Sequence, residues 1–142
     1  SFLGQKHMFI PLIIFLTSAT FVTPTVLSQS ETYTPLVKNP ESLELYVEEY
    51  FTNTPILADI AQCESRMRHF DKNGEILRGE VDSDDVGIMQ INTRYHAERA
   101  GELQINLYSL RGNLKYAEYL YEKEGVRPWR ASRACWDKIA AR

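Results

Sequence analysis

Cysteine is scarce in this sequence, with two residues, Cys63 and Cys135, in a chain of 142. At most one disulfide can form. Histidine is nearly as sparse: His7, His69 and His96 stand at no metal-ligand spacing from either cysteine, which leaves a zinc site unsupported. Seven glycines and six prolines are too few for a collagenous chain, and a hydrophobic share of 44% argues against disorder. A basic surplus is missing too. The formal net charge is −3, so a general nucleic-acid binder, which needs Lys and Arg to neutralise phosphate, is not expected. No internal repeat is apparent. The length and composition that remain fit one folded domain.

The first 28 residues carry a single charge, Lys6, followed by the apolar run 8–16 and a stretch rich in Thr, Ser, Ala and Pro. A short basic segment, an apolar core and small residues near Ser28 predict a secretory signal over residues 1–28. The apolar run is short for crossing about 30 Å of hydrocarbon. Membrane attachment through residues 8–27 is therefore expected only if the segment is kept. In both cases the rest faces outward, as an exported protein that is periplasmic, cell-wall associated or secreted. Residues 29–38 read as a linker and residues 39–142 as the domain. Charge is uneven within it: residues 31–85 hold 5 basic against 13 acidic groups, whereas Arg127, Arg130, Arg133, Lys138 and Arg142 face Asp137 alone at the end. That basic tail is either a surface for an anionic polymer or ordinary solvated charge.

Two start signals open the domain. Asn39-Pro40 precedes Leu43, Tyr46, Val47, Tyr50 and Phe51, which fall on one face of an amphipathic helix. Thr54-Pro55 precedes a second helix, expected over about 55–68, with Leu57, Ile60, Ala61 and Glu64 on one face and Ile56, Cys63 and Met67 beside them. The helical period then stops, and Asn73-Gly74 predicts a two-residue hairpin turn. Val86 to Asn92 is a compact apolar stretch. Thr93 to Ala100 reads as a helix stopped by Gly101, and Ser109 to Glu124 as a helix ended by Gly125. The ending is aromatic and basic, with Pro128, Trp129 and Trp136.

Glu64 carries the most chemical interest, because its helical phase sets a carboxyl in an apolar stripe. Burial disfavours the charged form and raises a carboxyl pKa. A glutamic acid kept protonated near neutral pH can donate to a glycosidic oxygen, the general-acid step of glycan cleavage. The alternative is a surface Glu paired with Arg68 four residues on. Asp82-Ser83-Asp84-Asp85-Val86-Gly87 echoes the start of a calcium loop, but Val86 fills a ligand position and Thr93 stands where the closing Glu belongs. No metal is expected. Cys63 and Cys135 either form one bridge, worth roughly 4 kcal/mol in the chain-entropy account, or remain buried free thiols.

Three ordered segments add a resemblance: Ile60-Ala61-Gln62-Cys63-Glu64-Ser65, Gly87-Ile88-Met89-Gln90-Ile91-Asn92 and Asn113-Leu114-Lys115-Tyr116-Ala117. Together they resemble the spaced motifs of the soluble lytic transglycosylase family, whose fold is related to goose-type lysozyme. The resemblance covers about residues 55–136. It implies a mainly α (α+β), lysozyme-like fold, with helices around a catalytic cleft and one small β-hairpin. It also implies that peptidoglycan glycan strands are the substrate, cut without a cofactor by a monomer. Glu64 would be the single catalytic acid, which protonates the bond between N-acetylmuramic acid and N-acetylglucosamine. As base, it would then drive the muramyl 6-hydroxyl onto its own anomeric carbon, leaving a 1,6-anhydro end. Ser65 would orient the acid or the sugar, Met89 and Gln90 would line the pocket, and Gly87 would leave room for close approach of backbone. Asn92, Asn113, Tyr116 and Tyr119 are further substrate-binding candidates.

The sequence departs from the family in two places. Tyr119 and Leu120 come one step early relative to the family's Tyr-Leu pair, which keeps Tyr121 open as the cleft tyrosine. No Ala-Tyr-Asn-x-Gly segment stands near the end, where Pro128-Trp129-Arg130 and Cys135-Trp136 are found instead. Two other readings compete. A lysozyme-type hydrolase would need a second carboxylate to activate water or act as nucleophile, from Asp71, Asp82, Asp84 or Asp85. A non-catalytic glycan-binding module would keep the groove without turnover.

Overall fold

A computed structural model describes residues 40–141. The signal segment 1–28, the attachment stretch 8–27, the linker 29–38, the capping role of Asn39 and the charge of Arg142 lie outside the described residues. The chain is mainly helical, with one two-stranded antiparallel sheet among the described residues. Helix α1 spans Pro40–Tyr50 and α2 spans Ile56–Ser65. Strands β1 (Asp85–Val86) and β2 (Ile91–Asn92) precede α3 (Thr93–Glu102) and α4 (Leu110–Glu124). A 3₁₀ segment, Arg127–Ser132, leads into α5 (Arg133–Ala140). No described helix is long and apolar enough to cross a membrane.

α2 is the central element. Leu57, Ile60 and Ala61 are wholly buried on the face that the apolar spacing selects, and each large aliphatic side chain there contributes roughly 1.5–3 kcal/mol. The helix packs on α5 and on the 3₁₀ segment. The bonded pair Cys63–Cys135, with Cα atoms 5.9 Å apart, ties α2 to α5 covalently. Leu43 and Val47 of α1, with Phe51 just after it, join the same core. The Tyr50 hydroxyl donates to Glu118 of α4 at 3.1 Å, and burial with that neighbouring carboxylate pushes its pKa up to about 12.

Several element boundaries differ from expectation. α2 ends at Ser65 rather than near Arg68, because Arg66 and Met67 both take the left-handed conformation (φ 55° each), which no glycine in the sequence announces. Its start is not capped by the Thr54 side chain: the Thr54 carbonyl accepts from Leu57 N–H instead. The Asn73-Gly74 turn is a three-residue loop. Asp71 N–H donates to the Glu75 carbonyl, Gly74 N–H closes onto Asp71, and Gly74 takes φ 82°, a type I turn followed by a left-handed residue. That segment forms only isolated bridges, Phe70 to Ile76 and Arg78 to Val86, while the regular sheet lies later, pairing Asp85 with Asn92 and Val86 with Ile91. Gly101 does not stop α3, which continues to Glu102 and is followed by Gln104 at φ 56°. The aromatic ending is helical, and it buries Trp129 and Trp136 in the core.

Candidate functional site

Glu64 lies in the last turn of α2, half-buried beside the wholly buried Ile60 and Ala61. It does not pair with Arg68. Because the helix has already ended, Arg68 Nε donates to the Ser65 carbonyl at 3.0 Å. The Glu64 carboxyl instead receives the hydroxyl of Ser132, with Oγ 2.6 Å from Oε1. Burial pushes its pKa above the ordinary carboxylate range; the Ser132 hydrogen bond opposes that rise, and the charge of Asp85 adds to it. Ser65 is not the hydroxyl on the acid. It is 2% exposed, donates to the Ala61 carbonyl at 3.0 Å and accepts from Arg68 N–H, so it completes the end of its own helix.

The four-residue connection Gly87–Gln90 between β1 and β2 is held from below by two buried side chains. Asn113, wholly buried on α4, accepts from Met89 N–H at 2.9 Å and donates to the carbonyls of Val86 (3.0 Å) and Leu107 (2.9 Å). His69 is 1% exposed. Its Nδ1 accepts from Ile88 N–H at 3.1 Å and its Nε2 lies 3.0 Å from the Tyr108 carbonyl. These partners fix the neutral ring with its proton on Nε2, and burial lowers its pKa to about 4. Gly87 has φ 71°, and a Cβ there would stand 2.7 Å from His69 Cε1 and 2.8 Å from Asn113 Nδ2. Its missing side chain therefore makes room for His69 and Asn113. Met89 is wholly buried, while Gln90, at φ 48°, folds its amide back onto the Gly87 carbonyl at 2.8 Å.

The turn and the acid belong to one hydrogen-bonded chain. Trp129 Nε1 donates to the Met89 carbonyl at 2.9 Å. The Trp129 carbonyl in turn accepts from Trp136 Nε1 at 3.1 Å and lies 3.0 Å from Ser132 Oγ, which reaches Glu64. His69, Trp129 and Ser132 were not among the residues expected from sequence. The signal that could have found Ser132 is the cysteine pair: Cys63 precedes Glu64 by one residue, and Cys135 follows Ser132 by three.

The acidic loop is tied to the start of α3. Asn92 caps α3, accepting from Arg94 N–H at 3.1 Å, and its amide donates to Asp82 (3.0 Å) and Asp85 (2.9 Å). The Asp84 N–H and the Asn92 amide hold Asp82 below the usual carboxylate range. Asp85 is half-buried and raised, by burial first, against the Asn92 hydrogen bond and with the help of Asp82 and Asp84. Among the described residues no group of three or more His, Cys, Asp or Glu side chains could hold a metal ion.

The tyrosines of α4 have partners of their own. Tyr116 is buried, with its hydroxyl 3.3 Å from His96 Nδ1 and its ring centroid 5.4 Å from that of Tyr119. Tyr119 accepts from Arg99 Nε at 2.9 Å and borders a groove of about 260 Å³ with Leu103, Ile105, Lys115, Glu118 and Glu122. None of the residues around Glu64 lines that groove. Tyr121 packs, partly buried, against the core. Comparison with protein-family models, curated proteins and solved structures gives no match to this chain.

Proposed function

We propose that this is a lytic transglycosylase with a lysozyme-like fold, acting on peptidoglycan outside the cytoplasm, with Glu64 as its single acid and base. The observation that carries the reading is the state of Glu64. It is a half-buried carboxyl with a raised pKa, held at one oxygen by a neutral hydroxyl, at the end of a rigid buried helix. Such a group holds its proton to higher pH than a solvated carboxyl does and can deliver it to a glycosidic oxygen. The same carboxylate can then deprotonate the 6-hydroxyl of the muramyl residue, which closes onto the anomeric carbon and leaves the anhydro end. The three ordered sequence motifs supply the substrate. Gln90 and Asn92, both half-buried around the turn, remain the substrate-binding candidates most available to a ligand. No cofactor, nucleic acid or second protomer enters this scheme.

A hydrolytic variant has one observation in its favour. Of Asp71, Asp82, Asp84 and Asp85, it is Asp85 whose charge acts on Glu64, and Asp85 is itself half-buried, so it is the carboxylate available to activate water. Mass spectrometry of the soluble products from purified peptidoglycan separates the two. Muropeptides lighter by one water establish the transglycosylase. Reducing ends transfer the reaction to a Glu64–Asp85 pair, and a bound but uncut glycan leaves a binding module.

A further inference from the structure

Ser132 approaches Glu64 from 68 residues away in sequence, and its hydroxyl has two neighbours at hydrogen-bond distance: Glu64 Oε1 at 2.6 Å and the Trp129 carbonyl at 3.0 Å. A serine hydroxyl carries one proton, so it donates to one of them at a time. An ionised carboxylate is the stronger acceptor and takes that proton. When Glu64 is protonated on Oε2, its Oε1 becomes a weaker, carbonyl-like acceptor, and the hydroxyl proton can turn to Trp129. One rotation of a hydroxyl therefore serves both states of the acid without moving the backbone.

The support around Ser132 is rigid. The Trp129 indole is pinned to the Met89 carbonyl, the Trp136 indole to the Trp129 carbonyl, and Cys135 to Cys63 beside Glu64. Among the described residues the charge that acts on Glu64 is that of Asp85, also an anion, so no ion pair holds the carboxyl. We propose that Ser132 is the positioning residue of Glu64: it holds Oε1 whenever the carboxyl is ionised and so leaves Oε2 as the oxygen that takes up and gives back the proton. This rests on the reading of Glu64 as acid and base.

The test uses the full chain with ¹³C-labelled glutamate side-chain carboxyls. The Glu64 resonance is assigned with Glu64→Gln and titrated in the wild type and in Ser132→Ala, alongside the pH profile of peptidoglycan cleavage. Loss of a donor to the carboxylate raises the Glu64 midpoint. Because the first step needs protonated Glu64, the alkaline limb of the rate profile moves to higher pH with it. The value of kcat falls roughly tenfold with KM little changed, as expected for loss of one charge-assisted hydrogen bond. Ser132→Thr, which keeps the hydroxyl, restores both. A Glu64 midpoint that is unmoved or lowered in folded Ser132→Ala overturns the assignment, and Ser132→Gly gives the same comparison should the alanine variant fail to fold. A raised midpoint in a protein that cuts no peptidoglycan upholds the positioning role and discards the transglycosylase reading.

Discussion

At the Gly87–Gln90 turn, the supporting side chains are buried and neutral, and each is committed to fixed backbone partners. At Glu64, a few residues along the same hydrogen-bonded chain, the key group is ionisable and its partner can turn. Asn113 and His69 use their polar atoms on the backbone of the turn and its neighbours. Glu64 rests on one hydroxyl that has an alternative acceptor. The difference is what the general-acid role proposed for Glu64 requires. A frame that must not move is best built from satisfied neutral hydrogen bonds in low dielectric, whereas a group that changes charge in every cycle needs a partner that tolerates both states.

The rigid end breaks most easily at Gly87. Gly87→Ala puts a Cβ within 2.8 Å of His69 and Asn113 on a backbone at φ 71°, combining overpacking with left-handed strain. The expected loss is about 3–4 kcal/mol of folding stability, read by thermal or denaturant unfolding. A loss within about 0.5 kcal/mol, the ordinary range for a surface site, would mean that the turn is not clamped.

A second, smaller effect is a difference in sign. His69 has its folded pKa lowered to about 4 from an unfolded value near 6.5, so its contribution is present above pH 6.5 and is lost as pH falls toward 4. The size is on the order of 3 kcal/mol. Glu64 runs the other way: its folded pKa is raised, so protonation as pH falls relieves rather than destabilises the fold. An NMR titration of the His69 ring should give a midpoint near 4, with unfolding free energy declining across that window. A midpoint near 6.5 would show a solvated ring and remove the contrast between the two ends.

Much of the helical frame was legible in the sequence, because it follows from local rules. Leu43, Val47 and Phe51 mark α1 by spacing, and Ser109 and Gly125 bracket α4, with Ser109 capping through Gly112 N–H. Glu64 was legible as a carboxyl in an apolar stripe. Its surroundings were not, for physical reasons. Arg66 and Met67 adopt a conformation that side chains usually avoid, so nothing local announced the early end of α2 or the loss of the Arg68 pairing. Gly101 is tolerated inside α3, where an added Cβ would meet nothing within 4 Å. His69 reads as a lone polar residue in a loop until the fold sets it beneath Gly87. Ser132 is a long-range partner set in place by Trp129, Trp136 and the cysteine pair, and no periodicity encodes such a contact.

The most direct measurement compares wild type and Glu64→Gln on purified peptidoglycan, with unfolding temperature and sacculus binding recorded for both. Glutamine keeps the side-chain carbonyl that Ser132 can donate to but has no acidic proton to give. The predicted result is loss of strand cleavage by about a thousandfold, with binding and stability retained. A variant that folds, binds and cuts at the wild-type rate would contradict the role assigned to Glu64.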